Sequence, residues 1–341
     1  MVNVRAKARE QTSIRALRFQ AGKMRLDEVP CPVPASGEVL IRPTRLGIAS
    51  PDLAVVDGAV RFAGVLGHEF VGIVEQAADK AINKELGGRR VVGLPTASCA
   101  ACDLCKAGLP MHCQARRVLG LWGRDGCFAD RFTIPAQNLV EVPADLDDDH
   151  AVFAHALGAA IHAVRMIRIV GKPYVTILGD GPIGLLAAQV ASRLNASVRL
   201  LGRHERKYTL CERWGIKHRH ESEVGRRHDQ DVVIDCTGTA TGLSLALSLV
   251  RPRGKVILKT APAPVPADAF SPQTTSVDLR QAVANEIEIL GAAGCSLAEG
   301  VAMLARREVD VLPLITRRFR LADAPTAFEA ARDGVKVLLE P

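Results

Sequence analysis

At 341 residues the chain is too long for one ordinary hydrophobic core and suits two domains. Hydrophobic residues make up 48% and charged residues 24%, a globular composition that argues against disorder. The net charge is +7, but Lys and Arg are spread along the chain and aromatic residues are only 4%, so we expect no nucleic-acid partner.

Residues 1–13 are basic, and we read them as a frayed tail. No apolar stretch follows them, and no run approaches the roughly 20 apolar residues that cross a bilayer. We therefore expect no secretory signal, no membrane partner and a cytoplasmic location.

Residues 14–146 have the pattern of short strands separated by Gly and Pro. In residues 38–43 and 71–75, for example, apolar residues recur over a few positions. This pattern predicts an all-β or barrel-like domain with long loops.

Four of the nine cysteines fall within fifteen residues: Cys99, Cys102, Cys105 and Cys113. In a reducing compartment such tight spacing indicates a metal rather than disulfides. Tetrahedral zinc takes four thiolates and keeps no open position, so its role would be structural. An iron–sulfur cluster or coincidence are the alternatives. We predict a structural Zn²⁺ that pins a lobe at about residues 95–115.

From about residue 151 helices alternate with strands, a pattern that predicts a parallel sheet covered on both faces. The expected order is helix 151–169, strand 174–178, helix 183–194, strand 197–201, helix 206–214, strand 231–235, helix 242–249 and strand 255–258. The Ala/Pro-rich residues 261–269 suggest a loop, and the apolar strand 287–290 is either core or a sheet edge used in dimerisation. A helix at 297–307 and a tail at 314–339 are expected to return to the first domain.

A glycine turn follows the strand 174–178 directly and opens a helix: Gly179-Asp180-Gly181-Pro182-Ile183-Gly184. Within a strand–helix–strand unit this motif predicts a dinucleotide site, although glycines also cluster in ordinary turns. The first glycine makes the turn, the second admits the pyrophosphate and the third lets helix and strand pack. The N-terminus of the helix then binds the phosphates.

The end of the next strand predicts which dinucleotide binds. An Asp or Glu there would hydrogen-bond the ribose hydroxyls of NAD(H), but this chain has Gly202 followed by Arg203. Gly202 leaves room, and Arg203, with Arg206 nearby, can pair with a 2′-phosphate. We therefore predict NADP(H) over NAD(H); the alternative is that both arginines merely face solvent.

Several motifs together resemble the medium-chain dehydrogenase/reductase family, specifically its zinc-containing alcohol, polyol and threonine dehydrogenase branch. They occur in the family's order over nearly the whole chain. They are residues 67–74, the four-cysteine lobe, residues 125–130 with Ile134-Pro135, the glycine turn, Asp235-Cys236-Thr237-Gly238 and residues 321–328. The resemblance implies an α/β protein with a GroES-like β-barrel catalytic domain, a Rossmann cofactor domain that Thr237 helps to complete, and an active site between them.

The expected boundaries follow from this organisation. Residues 1–164 would form the catalytic domain, residues 165–296 the cofactor domain, and residues 297–341 a segment that returns to the catalytic domain. By the same resemblance we expect a homo-oligomer, either a dimer or a tetramer.

The catalytic motif departs from the family. Where zinc members have a metal-binding Cys and a hydroxyl residue, this chain has Ala49 and Pro51, and Ala54 replaces a relay histidine. His68 and Glu69 match the family pattern, and His155 occupies the third ligand position.

Two hypotheses stay open for this site. A divalent ion, most simply a second Zn²⁺, could bind through His68, Glu69, His155 and water. Without a metal, His68 or His155 would be the general acid–base. Asp52 could order the loop that carries these substitutions.

These features predict an NADP(H)-dependent dehydrogenase or reductase that transfers hydride between nicotinamide and an alcohol or carbonyl substrate. The alternatives are a zinc-independent enone or quinone reductase and a non-catalytic dinucleotide-binding protein.

Overall fold

The computed structural model of the protein describes residues 13–168, 170–225, 227–259 and 276–341. The expected loop at residues 261–269 and residues 1–12 of the expected tail lie outside these ranges, whereas Ser13 already belongs to a strand.

The secondary structure of the described ranges has these bounds. The strands are β1 (Ser13–Gln20), β2 (Lys23–Pro30), β3 (Glu38–Ile48), β4 (Gly64–Val65), β5 (Glu69–Ala77), β6 (Arg90–Gly93), β7 (Thr96–Ala97), β8 (Arg117–Leu119), β9 (Gly123–Arg124), β10 (Phe132–Pro135), β11 (Leu139–Glu141), β12 (Tyr174–Leu178), β13 (Ser197–Gly202), β14 (Lys217–His220), β15 (Gln230–Asp235), β16 (Val250–Leu258), β17 (Glu288–Gly291), β18 (Ile315–Arg320) and β19 (Lys336–Glu340). The α-helices are α1 (Ser50–Val56), α2 (Lys80–Leu86), α3 (Asp103–Lys106), α4 (Asp148–Ala151), α5 (Ala154–Arg165), α6 (Pro182–Ser192), α7 (Tyr208–Arg213), α8 (Ala240–Leu249), α9 (Arg280–Ala284), α10 (Leu297–Ala305) and α11 (Ala324–Asp333).

The first half of the chain forms the expected β domain. Its largest sheet has the order β11-β6-β5-β3-β19-β18, with β10 also paired to β3, and small sheets β2-β1-β4 and β7-β8-β9 complete it. The register of the long strand β3 against β5 shifts at Pro43, which has no N–H to donate to the ladder. A core that includes Leu17, Phe70 and Phe128 fills the interior.

The end of the chain closes this sheet. Strand β19 pairs antiparallel with β3 and parallel with β18, so the last residues lie inside the first domain. These pairings place the end of the chain in the first domain; we propose the boundaries at residues 164 and 296 for the two domains and the returning segment.

The second half forms the predicted Rossmann sheet. Six parallel strands have the order β14-β13-β12-β15-β16-β17. The order reverses between β12 and β15, and ligands of such sheets bind outside the carboxyl ends of the strands at that point. Strand β12 has the predicted bounds, and β17 is the sheet edge. The sequence analysis missed β14 because Lys217–His220 has no apolar residue, as an exposed edge strand permits.

Helix α5 joins the two halves. The predicted helix 151–169 is in fact two helices, α4 and α5, separated at Val152 and Phe153. Leu157 of α5 belongs to one buried cluster that also contains Val71 of the barrel and Ile177 of the Rossmann sheet. Because α5 is buried against both halves, His155 in its first turn lies where they meet.

Phe328 of α11 provides a test of how the returning segment is held. Its side chain is 2% exposed, and its ring meets Phe128 edge-on with centroids 6.3 Å apart. We expect Phe328→Ala to lower the free energy of unfolding by about 3–5 kcal/mol, because it leaves a cavity in the core. Urea denaturation measures this change. Leu312→Ala, at an exposed leucine, is the control and should change stability by less than about 0.5 kcal/mol; equal effects of the two substitutions would contradict the packing described.

Candidate active site

The glycine turn joins β12 to α6 as predicted. Gly179 has φ 101°, and a Cβ on Gly184 would lie 1.9 Å from the Gly179 carbonyl oxygen, so neither position tolerates a side chain. Gly181 caps α6, and a Cβ there would meet nothing within 4 Å. The backbone at Gly181 is thus open to a ligand at the N-terminus of α6, as a pyrophosphate requires.

Asp180, inside this turn, has a role that the sequence analysis missed. Its side chain is buried and accepts hydrogen bonds from the backbone N–H groups of Arg203 (3.0 Å) and His204 (2.8 Å). Burial alone would raise the pKa of Asp180, but His204 and Lys207 outweigh it and lower the pKa. A Cβ on Gly202 would lie 2.5 Å from an Asp180 oxygen. The Asp180 carboxylate therefore occupies the space that a side chain at residue 202 would need.

The two arginines predicted to bind a 2′-phosphate lie near this loop. Arg203 is 56% exposed and its Nε lies 2.6 Å from Glu221. Arg206 is also exposed and donates to the backbone carbonyl of Asp333. Both guanidinium groups are therefore on the surface beyond the carboxyl end of β13, and each already has a partner.

Thr237 lies across the sheet from the glycine turn, after β15. Its N–H and hydroxyl both donate to Asp235, at 2.8 and 2.6 Å. A Cβ on Gly179 would be 3.4 Å from the Thr237 methyl group. Thr237 thus lies beside the glycine turn, at the point where the strand order reverses.

The four cysteines converge in the predicted lobe, between β7 and β8. Their Sγ–Sγ distances include Cys99–Cys113 3.5 Å, Cys102–Cys105 3.5 Å, Cys102–Cys113 3.9 Å and Cys99–Cys105 4.0 Å. A tetrahedral zinc–thiolate centre with Zn–S near 2.3 Å has sulfurs about 3.8 Å apart. Hydrogen bonds from the backbone at Ala101 and Cys102 lower the pKa of Cys99 to about 6. Burial and the neighbouring thiols raise the pKa of Cys105 to about 11. The cluster therefore has the shape that a tetrahedral metal site needs, and Cys99 is an acidic thiol within it.

The structure also brings together His68, Glu69 and His155. One candidate ligand atom from each lies within 4.8 Å of the others. Glu69 begins β5 and His68 directly precedes it, and His155 comes from α5 across the cleft. His68 Nδ1 lies 3.0 Å from Asp52, whose side chain is fully buried and also accepts from the Ala49 N–H. Asp52 thus orients His68 and orders the loop around Ala49.

Lys336 is a second residue that the sequence analysis missed. It begins β19, is 2% exposed and forms an ion pair with Glu69 Oε2. A Cβ on Gly47 would lie 2.9 Å from the Lys336 side chain and 3.0 Å from Glu69 Oε2, so only glycine leaves room for the pair. The other oxygen, Oε1, lies 3.6 Å from His155 Nδ1.

The protonation states in this cluster differ between its members. Burial opposes the charge on Glu69, but Lys336 and His155 outweigh it and lower the pKa to about 2. Burial lowers the pKa of His155. For His68 burial also disfavours the cation, but Asp52 and Glu69 outweigh it and raise the pKa. Glu69 is therefore an anion and His155 a neutral imidazole near pH 7, the forms in which both residues bind metals.

A cleft of about 170 Å³ connects this cluster to the glycine turn. Its lining includes Ala49, Ser50, Pro51, His68, Glu69, Thr96, His155, Pro182, Ile183 and Lys259. A larger cavity of about 860 Å³ lies at the amino ends of the Rossmann strands, away from this cleft. Because the small cleft alone contains both the turn and the histidines, it is the candidate active site.

The Rossmann sheet, the GroES-like barrel and the cleft between them define a two-domain nicotinamide-dependent dehydrogenase. Residues 35–144 match the alcohol dehydrogenase GroES-like domain, and residues 150–340 match the glucose dehydrogenase C-terminus. The chain belongs to the zinc-type medium-chain dehydrogenase/reductase family of alcohol and polyol dehydrogenases.

Individual relatives agree with this assignment. L-threonine 3-dehydrogenase of Streptomyces avermitilis is 31% identical, over 92% of this chain and 95% of the relative. The 2-dehydro-3-deoxy-L-galactonate 5-dehydrogenase of Pseudoalteromonas atlantica is 27% identical, over 90% and 92%. Among solved structures, a protein of Sinorhizobium meliloti 1021 described as a zinc-binding dehydrogenase bound to NADP is 28% identical. Its TM-score is 0.86, and the match covers 97% of this chain and 100% of that chain.

The chain is thus an NAD(P)-dependent oxidoreductase of the alcohol dehydrogenase type that acts on CH–OH groups of small molecules, as the sequence analysis predicted. Nothing in the comparisons favours the enone or quinone reductase or the non-catalytic binding protein. In the described part of the chain no helix has the length and apolarity of a membrane span.

The buried pair of Glu69 and Lys336 gives a prediction about stability. We expect Glu69→Gln and Lys336→Met each to lower the free energy of unfolding by about 3–5 kcal/mol, because each leaves one buried charge unpaired. Urea denaturation at pH 7 measures the loss.

The double variant Glu69→Gln/Lys336→Met is the matched control. It removes both charges and should lose less stability than the sum of the two single changes. Strictly additive losses would show that the two side chains do not interact.

Proposed function

We propose that this protein is an NADP(H)-dependent dehydrogenase with a catalytic divalent metal, most simply Zn²⁺, held by His68, Glu69 and His155. The observation that carries the proposal is the placement of one atom: among the described residues, the buried Nδ1 of His155 has no partner within hydrogen-bonding distance and faces Glu69 Oε1 at 3.6 Å. A buried polar atom is costly to leave unpaired, and the other two candidate ligands lie beside this one.

The donor set fits such a metal. Two imidazoles and one carboxylate form a known three-ligand set for catalytic zinc, which keeps an open position for water or substrate. Glu69 keeps its negative charge because of Lys336, and His68 is held in place by Asp52. A bound metal would polarise the oxygen of an alcohol or carbonyl as a Lewis acid. Ala49 supplies no ligand in place of the family's thiolate, and His155, at the third ligand position, completes the set with His68 and Glu69.

The other residues bind and position the reactants. The N-terminus of α6, with Gly181 open above it, would hold the cofactor pyrophosphate. Pro182 and Ile183 border the same cleft as His155, so a nicotinamide ring beside them would face a substrate oxygen at the histidines. The buried hydroxyl of Thr96 lines the cleft without a hydrogen-bond partner among the described residues and is available to bind a substrate.

The cysteine lobe would hold a structural Zn²⁺ through Cys99, Cys102, Cys105 and Cys113. With four thiolates the ion has no position left for substrate. Four reduced thiols fit a reducing compartment, which supports a cytoplasmic location for the protein.

For the cofactor we propose a preference for NADP(H). Gly202 carries no acid that would repel a 2′-phosphate, and Arg203 lies just beyond it on the surface. The Asp180 carboxylate is paired with the Lys207 ammonium group at 3.6 Å, which reduces the repulsion it would otherwise exert on a phosphate. Arg203 would exchange its contact with Glu221 for the 2′-phosphate, and Arg206 would add positive charge nearby.

For the assembly we propose a homo-oligomer, a dimer or a tetramer. Strand β17 is the end strand of the Rossmann sheet, and among the described strands it pairs only with β16. Its unpaired edge could therefore join the same edge of a second copy.

His155→Ala tests the metal-dependent activity. We expect NADPH-dependent turnover of a panel of ketones, and NADP⁺-dependent turnover of secondary alcohols, to fall by a factor of at least about 100. NADPH binding, followed by its fluorescence, should be unchanged, and the zinc content should fall from two ions per chain to one.

His220→Ala, which changes a histidine on the edge strand β14, is the control and should keep both ions and full activity. If wild-type protein contains one zinc that only denaturation releases, the proposed catalytic metal is wrong. Silence of the wild type over the whole panel would contradict the enzymatic function itself.

Arg203→Ala tests the cofactor preference. We expect the Kd of NADPH to rise about tenfold, because a charge-assisted contact with the 2′-phosphate is lost, while the Kd of NADH stays the same. Glu221→Gln is the companion variant: it frees Arg203 and should tighten NADPH binding. Fluorescence titration measures both constants, and equal affinity of the wild type for NADH and NADPH would overturn the preference.

A further inference from the structure

Lys259 lies in the active-site cleft, and neither the metal site nor the dinucleotide site accounts for it. It follows the last residue of β16, and its N–H donates to the Asp235 carbonyl at 2.9 Å. This is the carboxyl end of the parallel sheet, where ligands of this fold bind. The pyrophosphate end of a bound cofactor would lie at the first strand, β12, so Lys259 is on the nicotinamide side of the cleft.

The ammonium group of Lys259 has no carboxylate partner among the described residues. Its Nζ donates to the backbone carbonyls of Ala292 (2.7 Å) and Gly294 (3.1 Å). The nearby thiols of Cys236 and Cys295 do not supply a negative charge, because burial raises the pKa of both to about 12. Burial lowers the pKa of Lys259, and among the described residues its charge is balanced by backbone dipoles rather than by an anion.

The charge of Lys259 is also placed where a substrate must lie. Lys259, His155 and Ile183 line the same cleft. Glu69, which also lines the cleft, is already paired with Lys336.

A buried cation costs much less when an anion and a hydrogen-bond acceptor meet it. An ammonium group has three donors, and two of those of Lys259 are used. The nicotinamide end of the cofactor carries a neutral amide, so the cofactor brings no anion to this position. A substrate can supply one.

We propose that Lys259 binds an anionic group of the substrate, a carboxylate or a phosphate, next to the carbon that is oxidised or reduced. The substrate class is then a small hydroxy acid or hydroxyalkyl phosphate, or the corresponding oxo compound, rather than a neutral alcohol. This inference rests on the proposed function, since it places the substrate oxygen at His68 and His155.

The test compares four three-carbon probes that share a secondary hydroxyl. Lactate and propane-1,2-diol 1-phosphate are the anions, and lactamide and propane-1,2-diol are their neutral counterparts. Binding of each probe to the protein saturated with NADP⁺ is measured by titration calorimetry for the wild type, Lys259→Met and Lys259→Arg. NADPH binding and melting temperature are measured for the same three proteins.

We expect at least one anion to bind the wild type more tightly than its neutral counterpart, and the preferred anion identifies the group. Lys259→Met should raise the Kd of that anion by roughly 10- to 100-fold, which corresponds to the loss of a hydrogen bond to a charged group. Lys259→Arg should retain most of the affinity, and both variants should bind NADPH as the wild type does.

Three results would overturn the inference. The wild type could bind neither anion better than its neutral counterpart, a result that stands even if Lys259→Met does not fold. Lys259→Met could weaken the binding of neutral and anionic probes alike, and Lys259 would then be a structural residue. Lys259→Met could also weaken only the binding of NADPH, and Lys259 would then be a cofactor ligand. In each case the proposed function stands if the wild type binds NADPH and contains two zinc ions per chain. A wild type that lacks either property would refute the proposed function by itself.

Discussion

The ion pair between Glu69 and Lys336 connects the parts of this molecule on which its site depends. Glu69 begins β5 and Lys336 begins β19, so the ion pair links the last strand of the chain to a central strand of the barrel. It is possible only because Gly47, on the strand between them, has no side chain. The pair keeps the carboxylate ionised and leaves its second oxygen beside His155. A buried charge without such a partner would be too costly to keep.

The dinucleotide end depends on a comparable buried carboxylate. Asp180 fixes the loop after β13 through the N–H groups of Arg203 and His204. Gly202 is required there because Asp180 fills the space a side chain would need. The same position also carries the proposed preference for NADP(H), since it has no acidic side chain. A change there would alter the packing of the turn as well as the surroundings of the ribose.

The active site has the family framework with an altered set of side chains. Ala49 and Pro51 replace the thiol and the hydroxyl, yet Asp52 still orders the loop and orients His68. Each half supplies part of the candidate site: the barrel side gives Asp52 of α1, Glu69 of β5 and His68 just before it, and the Rossmann side gives the turn and Lys259. Helix α5, buried against both halves, adds His155 between them. The candidate site is therefore complete only when the two domains keep their positions relative to each other.

The sequence by itself determined the fold class and the location of the dinucleotide turn. Apolar strands alternating with helices predicted the Rossmann order, and the spacing of Cys99, Cys102, Cys105 and Cys113 predicted the cluster that the structure contains. These features are local, because period and spacing are written in neighbouring residues. The edge strand β14 was missed for the same reason: it contains only polar residues, and its pairing with β13 is not local.

Only the tertiary structure decided the surroundings of the catalytic groups. Lys336 lies 267 positions from Glu69, and no periodicity relates the two. A lysine within the apolar strand Lys336–Glu340 was the one available sign that a buried partner existed. Lys259, at the carboxyl end of a predicted strand, could have been selected by position, but its contacts with the carbonyls of Ala292 and Gly294, in the residues that follow β17, could not. The sequence contains these charges, but burial and contact across the fold decide their state and their chemistry.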